Sequence, residues 1–317
     1  MHVFSLDHLS SAMDSDRVYK HASVMVEELV QFLSPRSGGV YVDATLGEGG
    51  HSAVLLRASA PTGRLIGIDR DAEVLEVARQ RLAPFGARAH IVHGHAAELR
   101  GILDAIGISR VDGILLDLGV SSYQLETSDR GFSFMRAGPL DMRMDRTSGQ
   151  TAATLVNTLG EAEMINLIQR YGEERWARRI ARAIVRARRR APLRTTEELA
   201  ALITHVIPPG ARPSRIHPAT RTFQAFRIAV NQELSTLEES LRGAVACLNR
   251  GGRLCVIAYH SLEDRIVKRT FQALTTSPEE STLQARVLTR KPAISSPTER
   301  KTNPRARSAR LRVLERL

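Results

Sequence analysis

The most constraining feature of this chain is a glycine-rich turn that joins an apolar segment to a helix-forming one. The apolar segment reads Val40-Tyr41-Val42-Asp43-Ala44-Thr45, and Gly47-Glu48-Gly49-Gly50-His51-Ser52 follows it closely. Because glycine has no Cβ, such a turn lets backbone N–H groups approach a ligand beside the positive end of a helix. The sequence therefore predicts a buried strand, a ligand-binding turn and a helix, a combination typical of nucleotide-cofactor folds.

A second apolar run, Leu65-Ile66-Gly67-Ile68-Asp69, ends on an acid where a carboxylate can accept both hydroxyls of a ribose. Adenosine ribose occurs in nicotinamide dinucleotides and in S-adenosylmethionine. A dinucleotide site favours G-x-G-x-x-G, whereas here Gly50 follows Gly49 directly. Asp43, at the end of the first run, suits a cationic ligand better than a diphosphate. The pattern favours S-adenosylmethionine, with a nicotinamide-dependent oxidoreductase as the alternative.

Apolar strands alternate with amphipathic helices along the first part of the chain, which is the pattern of a parallel α/β sheet. Two further strand-like runs, 285–289 and 309–314, are predicted to pair as a terminal antiparallel hairpin. That hairpin is the usual finish of a class I methyltransferase sheet. The predicted fold class is a Rossmann-like α/β sheet of that type with an inserted, mostly helical domain. Its other expected strands are 40–45, 65–69, 89–92, 113–118 and 253–259, and its expected helices start near Gly50 and span 72–82 and 96–106.

The sheet pattern is interrupted in the middle of the chain. Residues 127–230 read as an inserted helical domain for substrate or RNA recognition, with a helix over 173–191, and a further helix is expected over 231–249. Residues 20–126 and 231–317 would then form one discontinuous methyltransferase domain, and residues 1–19 a disordered extension. Cys247 and Cys255 are too few for a zinc site or a disulfide framework, which fits a reducing cytoplasm. No apolar run approaches the length of a membrane span.

Positive charge is concentrated in two segments of a chain whose net charge is +11. Residues 127–230 hold eighteen arginines against nine acidic residues, and residues 286–317 hold ten basic residues against two acidic ones. Such segments favour polyanionic partners, nucleic acid first. Within the 173–191 helix, Arg178, Arg182 and Arg186 recur at a spacing of four and could follow a phosphate backbone. A merely solvated face is the alternative.

The fourth strand ends in Asp117-Leu118-Gly119-Val120-Ser121-Ser122, at the edge where open α/β sheets bind their ligands. Methylation of an exocyclic amine requires an acceptor for the N–H, alignment with the methyl donor and exclusion of water. Asp117, or a backbone carbonyl just after it, is the best acceptor that the sequence offers, although Asp117 could also only anchor the cofactor or the loop. Methylation at carbon 5 of a pyrimidine would need a thiolate on a loop, and neither cysteine lies in one.

Several long motifs are distributed along nearly the whole chain. They are His21-Ala22-Ser23-Val24-Met25, Asp43 to Ser52, Asp117 to Leu125, Gly131-Phe132-Ser133-Phe134, His217 to Ala225, His260-Ser261-Leu262-Glu263-Asp264-Arg265 and Asn303 to Ser308. Together these motifs resemble those of the RsmH (MraW) family of bacterial small-subunit ribosomal RNA cytosine-N4 methyltransferases.

The resemblance implies an S-adenosylmethionine-dependent enzyme that methylates N4 of a cytidine in 16S ribosomal RNA, near the decoding centre of the small subunit. The cofactor would be held at the positions that match Gly49, Gly50, His51, Asp69, Ala96, Asp117 and Gln124. The family usually has an aromatic residue where this chain has Ala96, and His95 could replace its packing surface. We expect His51 to act through its backbone N–H.

The remaining expectations concern partners. His217, Arg221 and His260 lie in polar motifs and, with the three arginines above, are candidate RNA contacts. No metal and no membrane are implied, the location is expected to be cytoplasmic, and the oligomeric state is open, with a homodimer as one option. The alternative from another class is a non-catalytic RNA-binding assembly factor that keeps a relic cofactor fold.

Overall fold

The computed structural model describes residues 22–212, 216–276 and 284–317 of the 317-residue chain. The extension expected over residues 1–19 lies outside the described residues. Contacts divide the described residues into two compact units, one formed by those up to Gly119 together with those from Leu237 onward, and the other by those within Val120–Thr236. The boundaries expected at residues 127 and 230 fall inside the second unit.

The first unit is built on a seven-stranded sheet with the order β3-β2-β1-β4-β5-β7-β6. Strands β1 to β5 are parallel, and β7 pairs antiparallel with both β5 and β6. The β2 run Leu65 to Ile68 is buried throughout, as expected for an internal strand that is covered on both faces. The strands are β1 (Val40–Asp43), β2 (Arg64–Asp69), β3 (Ala89–His93), β4 (Val111–Asp117), β5 (Leu248–Ala258), β6 (Ala285–Val287) and β7 (Arg310–Arg316).

Helices cover both faces of this sheet and complete two apolar cores. One core combines β-strand side chains such as Val42 and Ile66 with residues of α4, α11 and α12, and the other combines Tyr41 and Leu65 with residues of α1, α2 and α3. Asp71 caps α3 by accepting from the N–H groups of Glu73 and Val74. The helices are α1 (Val26–Leu33), α2 (Gly50–Ala58), α3 (Ala72–Leu82), α4 (Leu99–Ala105), α11 (Leu237–Cys247), α12 (Ser261–Thr276) and α13 (Pro297–Thr302).

The second unit is helical and has its own apolar core, which includes Ile168, Ile184, Ile203 and Phe226. Its helices are α5 (Ser122–Glu126), α6 (Ala152–Thr158), α7 (Glu161–Gly172), α8 (Ala177–Arg188), α9 (Thr196–Val206) and α10 (Thr220–Asn231). The predicted α/β sheet is confirmed, and in chain order the helical unit lies between β4 and β5.

Two predicted helices have the wrong bounds. The helix expected from residue 173 begins at Ala177, because Glu173 adopts a left-handed conformation (φ 47°) that ends α7. The helix expected over 231–249 is interrupted, because Asn231 ends α10, Gln232 has φ 52°, and the next helix begins at Leu237. The antiparallel hairpin at the chain end is confirmed. Within the described residues, no helix is both long and apolar enough to cross a membrane.

Candidate active site

The chemistry-bearing residues of the first unit meet where the parallel strands end. In the sheet register, Asp43 of β1 lies beside Gly67 of β2 and Leu115 of β4, and Asp69 lies beside His93 at the end of β3. Asp117 closes β4 beside Ile257 of β5. This carboxyl edge is the one at which open parallel sheets bind ligands.

The glycine turn lies between β1 and α2 and packs closely against other parts of the chain. Gly49 has φ 78°, a conformation that favours glycine, and it serves as the N-cap of α2. A Cβ added at Gly50 would collide with Ser23 Oγ. Asp43, which we expected to attract a cationic ligand, is instead only 1% exposed, and its carboxylate accepts from Ser52 Oγ at 2.7 Å. Asp43 therefore braces the turn.

Asp69 is bound to the same turn through the backbone. One oxygen accepts from Gly47 N–H at 2.8 Å and the other from Asp71 N–H at 3.0 Å. Burial raises the pKa of Asp69 to about 6, against the lowering effect of these two N–H groups. The carboxylate is thus fixed in position, and its remaining lone pairs could accept hydrogen bonds from the hydroxyl groups of a ribose.

The segment after β3 contains Ala96, at the position where the resembled family usually has an aromatic residue. Ala96 begins a short 3₁₀ turn (Ala96–Glu98) and packs against one of the sheet cores. His95 caps this turn, since its Nδ1 accepts from Ala97 N–H at 3.1 Å. Burial lowers the pKa of His95, so the ring is neutral at pH 7. His95 follows the end of β3 by two residues, and its Nδ1 is already bonded within the cap.

Asp117 is held by two hydrogen bonds, and its side chain is still partly exposed. Its backbone N–H donates to Thr45 Oγ1 at 2.6 Å, and its Oδ1 accepts from the Tyr259 hydroxyl at 2.8 Å. Its side chain is 22% exposed. Burial raises the pKa of Asp117, while His51 and the Tyr259 hydroxyl act in the opposite direction. A carboxyl with a raised pKa in a binding edge can accept a proton from a substrate.

The side chain of His51 lies at this edge of the sheet, beside Asp117. Its Nδ1 lies 3.5 Å from Asp117 Oδ2, and its Nε2 lies 2.8 Å from the carbonyl oxygen of Val24. The ring is 7% exposed. We expected only a backbone role, because the sequence does not reveal that α2 directs this ring at the end of β4.

Tyr259 and His260 follow β5 and are held by the first turn of α12. Glu263 is buried, and its Oε2 accepts from the backbone N–H groups of Tyr259 and His260 at 2.8 and 3.2 Å. Burial and the neighbouring Asp117 raise the pKa of Tyr259 well above its ordinary value, so its hydroxyl remains a donor. Sequence reasoning missed Tyr259, although its place at the end of the strand predicted over 253–259 was a usable signal.

Two of the predicted binding residues, Gln124 and Arg221, lie in the second unit. Gln124 is buried and closes a capping box with Ser121 at the start of α5. Arg221 is exposed, and it donates to the carbonyl oxygen of Glu173 at 3.2 Å. Neither contact identifies a ligand, so Gln124 and Arg221 stay predictions as binding residues.

The arginine face of α8 is exposed in part and paired in part. Arg178 and Arg186 are exposed. Arg182 pairs with Glu161 of α7 at 3.0 Å, although its side chain remains 66% exposed. Arg188, on another face, donates to the carbonyl oxygens of Val156 and Leu159 and so belongs to the packing of this unit.

His217 lies at a surface cavity of about 510 Å³. Its ring stacks on Phe134 with centroids 4.5 Å apart and an interplanar angle of 30°. Arg212, which also lines the cavity, donates to the carbonyl oxygen of Thr204 at 2.8 Å. The cavity thus combines aromatic faces with a cationic side chain, which is a suitable surface for a nucleobase.

Known proteins match this chain over almost its full length. The model of the MraW methylase family matches residues 18–317. The chain is 54% identical over 309 residues to a protein of Geobacter sp. (strain M21) named ribosomal RNA small subunit methyltransferase H, covering 94% of this chain and 99% of that one. It is 53% identical, with the same coverage, to the protein of that name from Citrifermentans bemidjiense. Among solved structures, it is similar to an rRNA methylase from Streptococcus thermophilus (11% identity, coverage 100% and 99%, TM-score 0.39).

Proposed function

This chain belongs to the MraW methylase family, and from that premise we propose that it methylates N4 of a cytidine in 16S ribosomal RNA. The relatives named above are called ribosomal RNA small subunit methyltransferases, which supports ribosomal RNA of the small subunit as the substrate. The proposed target lies near the decoding centre, and a cytoplasmic location follows from that substrate.

The methyl donor is S-adenosylmethionine, and the residues at the carboxyl edge fit it. The Asp69 carboxylate is fixed by backbone N–H groups and suits the ribose hydroxyls. Gly49 adopts φ 78°, and Ser23 Oγ occupies the space that a Cβ of Gly50 would need, so the two glycines allow the tight turn that places backbone N–H groups at the start of α2. Carboxylates at this edge suit a ligand that carries an ammonium and a sulfonium. When bound, this cofactor supplies an activated methyl group and leaves as a neutral thioether.

The observation that carries the proposal is the carboxylate of Asp117, which is partly exposed and is held by Tyr259 and Thr45. A cytosine N4 amine has its lone pair delocalised into the ring, so an acceptor for one of its hydrogens increases the electron density available on nitrogen. Asp117 can hold that hydrogen and take up the proton as the nitrogen–carbon bond forms. Tyr259 and Thr45 fix its position, which reduces the entropic cost of alignment.

The helical unit is proposed to bind the RNA. Arg178, Arg182 and Arg186 would contact phosphates, and the stacked pair of Phe134 and His217 would receive an unpaired base. His260, whose ring lies 3.2 Å from Glu263 Oε1, is proposed as a further RNA contact. The target base would be turned out of its stack to reach the sheet edge.

The test separates chemistry from binding. We expect Asp117→Ala to reduce the single-turnover rate of methyl transfer by about 10²-fold or more, because the proton acceptor is lost. Its affinity for small subunits should stay within about twofold of wild type, because that affinity depends mainly on phosphate contacts. Asp104→Asn, which changes an exposed carboxylate of α4 paired with Arg100, is the matched control and should leave both quantities unchanged. Equal loss of rate and RNA affinity in Asp117→Ala would contradict the role assigned to Asp117.

A further inference from the structure

The two contacts of the His51 ring define how its proton is placed. The Val24 carbonyl oxygen can only accept, so the 2.8 Å contact requires a hydrogen on Nε2. In a neutral imidazole the other nitrogen, Nδ1, then carries a lone pair, and it faces Asp117 Oδ2 at 3.5 Å. A lone pair that faces a carboxylate is unfavourable, whereas a single proton between the two groups makes the contact attractive. The geometry therefore forms a pair that is prepared to take up one proton.

The ring is held in place by a short segment of the chain. Residues 22–25 lie over the glycine turn, where Ser23 Oγ occupies the space of a Cβ on Gly50. The C-terminal region fixes this segment, because Glu299 Oε1 accepts from Met25 N–H at 2.8 Å and Asn303 Nδ2 donates to the Ala22 carbonyl oxygen at 3.1 Å. Since Val24 is anchored in this way, its carbonyl oxygen sets both the ring orientation and the tautomer of His51.

We propose that His51 is a positioning residue that shares with Asp117 the proton released from the target amine. This inference rests on the proposed function. The N4 lone pair forms the bond to the methyl carbon, the carbon–sulfur bond breaks with its electron pair going to sulfur, and the N4 proton moves to Asp117 Oδ2. His51 Nδ1 then holds that proton jointly with Asp117 until it passes to water.

Other ionisable groups act on this pair through their charges and hydrogen bonds. These groups are Asp43 of β1, Tyr259 at the end of β5, Glu263 of α12 and Arg305 of the 3₁₀ turn Pro304–Arg307.

The test compares two substitutions of His51. Glutamine places its amide nitrogen near the position of Nε2 and can keep the bond to Val24, but it cannot share a proton. We expect His51→Gln to lower the single-turnover rate by about 10²-fold, with KM for S-adenosylmethionine and for small subunits within about threefold of wild type. Its affinity for S-adenosylhomocysteine, measured by calorimetry without RNA, should also be unchanged. His51→Ala loses the bond to Val24 as well and should weaken cofactor binding in addition.

The pH profile distinguishes proton sharing from packing. The wild-type pair must start without the shared proton, so its single-turnover rate falls at low pH where the pair becomes protonated. Glutamine removes one of the two groups that hold this proton, and the acidic limb should therefore move to lower pH in His51→Gln. A rate within twofold of wild type, an acidic limb that does not move, or a loss of S-adenosylhomocysteine binding in His51→Gln would each overturn the inference. Absence of N4-methylcytidine with the wild-type enzyme would instead contradict the proposed function.

Discussion

Asp43, Asp69 and Asp117 end three strands of the same sheet, yet their surroundings give them different properties. Asp43 is buried and hydrogen-bonded to Ser52, so it stabilises the turn. Asp69 accepts hydrogen bonds from two backbone N–H groups. Asp117 is partly exposed and lies in contact with Tyr259 and His51. Position at a strand end therefore makes a carboxylate available, and its local partners decide what it does.

The raised pKa of Asp69 leads to a pH-dependent cofactor affinity. Burial favours the neutral form of Asp69 and raises its pKa to about 6. Ribose hydroxyls donate to the charged form, so S-adenosylhomocysteine should bind more weakly as the pH falls below about 6, by up to about tenfold per pH unit. Calorimetric titrations between pH 5 and 8 measure this. Asp69→Asn should bind weakly at every pH, and a wild-type affinity that is constant over this range would show that Asp69 does not contact the ribose.

The sequence predicted some of these residues and missed others for a physical reason. Asp69 and Asp117 could be found because each directly follows an apolar run, and the ends of parallel strands meet at one edge. The contact between His51 and Asp117 depends on where α2 directs a side chain, and the bond from Tyr259 depends on β5 lying beside β4. Such contacts between distant segments leave no local pattern.

Among the secondary-structure elements, α8 is the one whose surface charge is most directly testable. We expect the double substitution Arg178→Gln and Arg186→Gln to weaken binding to small-subunit RNA and to reduce the slope of log affinity against log salt by about 1 to 2, as expected for the loss of one or two phosphate contacts. Binding measured at several salt concentrations gives this slope. Arg242→Gln, an exposed arginine of α11 paired with Glu238, is the matched control and should leave the slope unchanged.

An unchanged slope in the double variant would mean that the α8 face is only a solvated surface. Arg182 offers a further comparison, because it pairs with Glu161 and part of its charge is already neutralised. Arg182→Gln should therefore change the slope less than either neighbouring substitution.

Element bounds were predictable where capping signals were present and uncertain where they were not. The helix predicted over 72–82 matches α3, which Asp71 caps. By contrast, Gln232 adopts φ 52° and ends α10 although no glycine or proline marks the break. Asn231 explains part of it, since its side chain accepts from Met144 N–H and donates to the Met142 carbonyl oxygen, both far away in sequence. Tertiary contacts outweighed local propensity there.

For the molecule as a whole, the C-terminal strand β7 lies between β5 and β6, and a buried carboxylate of α12 helps to fix it. Asp264 of α12 accepts from Arg312 of β7 at 2.6 and 3.2 Å and from Arg310 at 3.0 Å. Burial alone would raise the pKa of Asp264, but these two guanidinium groups hold it below its ordinary value. The group therefore stabilises the fold above the unfolded-state pKa, and this contribution is lost as the pH falls through the folded-state value.

We expect Asp264→Asn to lower the free energy of unfolding by about 3 kcal/mol at pH 7, because Arg312 is left buried without its counter-charge. The difference from wild type should shrink below about pH 4, where Asp264 of the unfolded chain becomes protonated. Urea denaturation followed by circular dichroism measures both effects. Glu238→Gln breaks an exposed pair on α11 and should cost less than about 0.5 kcal/mol. Equal effects of the two substitutions would mean that the Asp264 pair does not fix β7.

The most direct test of the proposed function is the identity of the methylated nucleoside. Small subunits that lack the modification are incubated with the purified protein and radiolabelled S-adenosylmethionine, and the RNA is digested to nucleosides. We expect the label in N4-methylcytidine, and incorporation at least about 10²-fold slower with Asp117→Ala. Label in another nucleoside would contradict the assigned reaction. Tight binding of cofactor and RNA without any transfer would contradict catalysis altogether and favour a non-catalytic assembly factor.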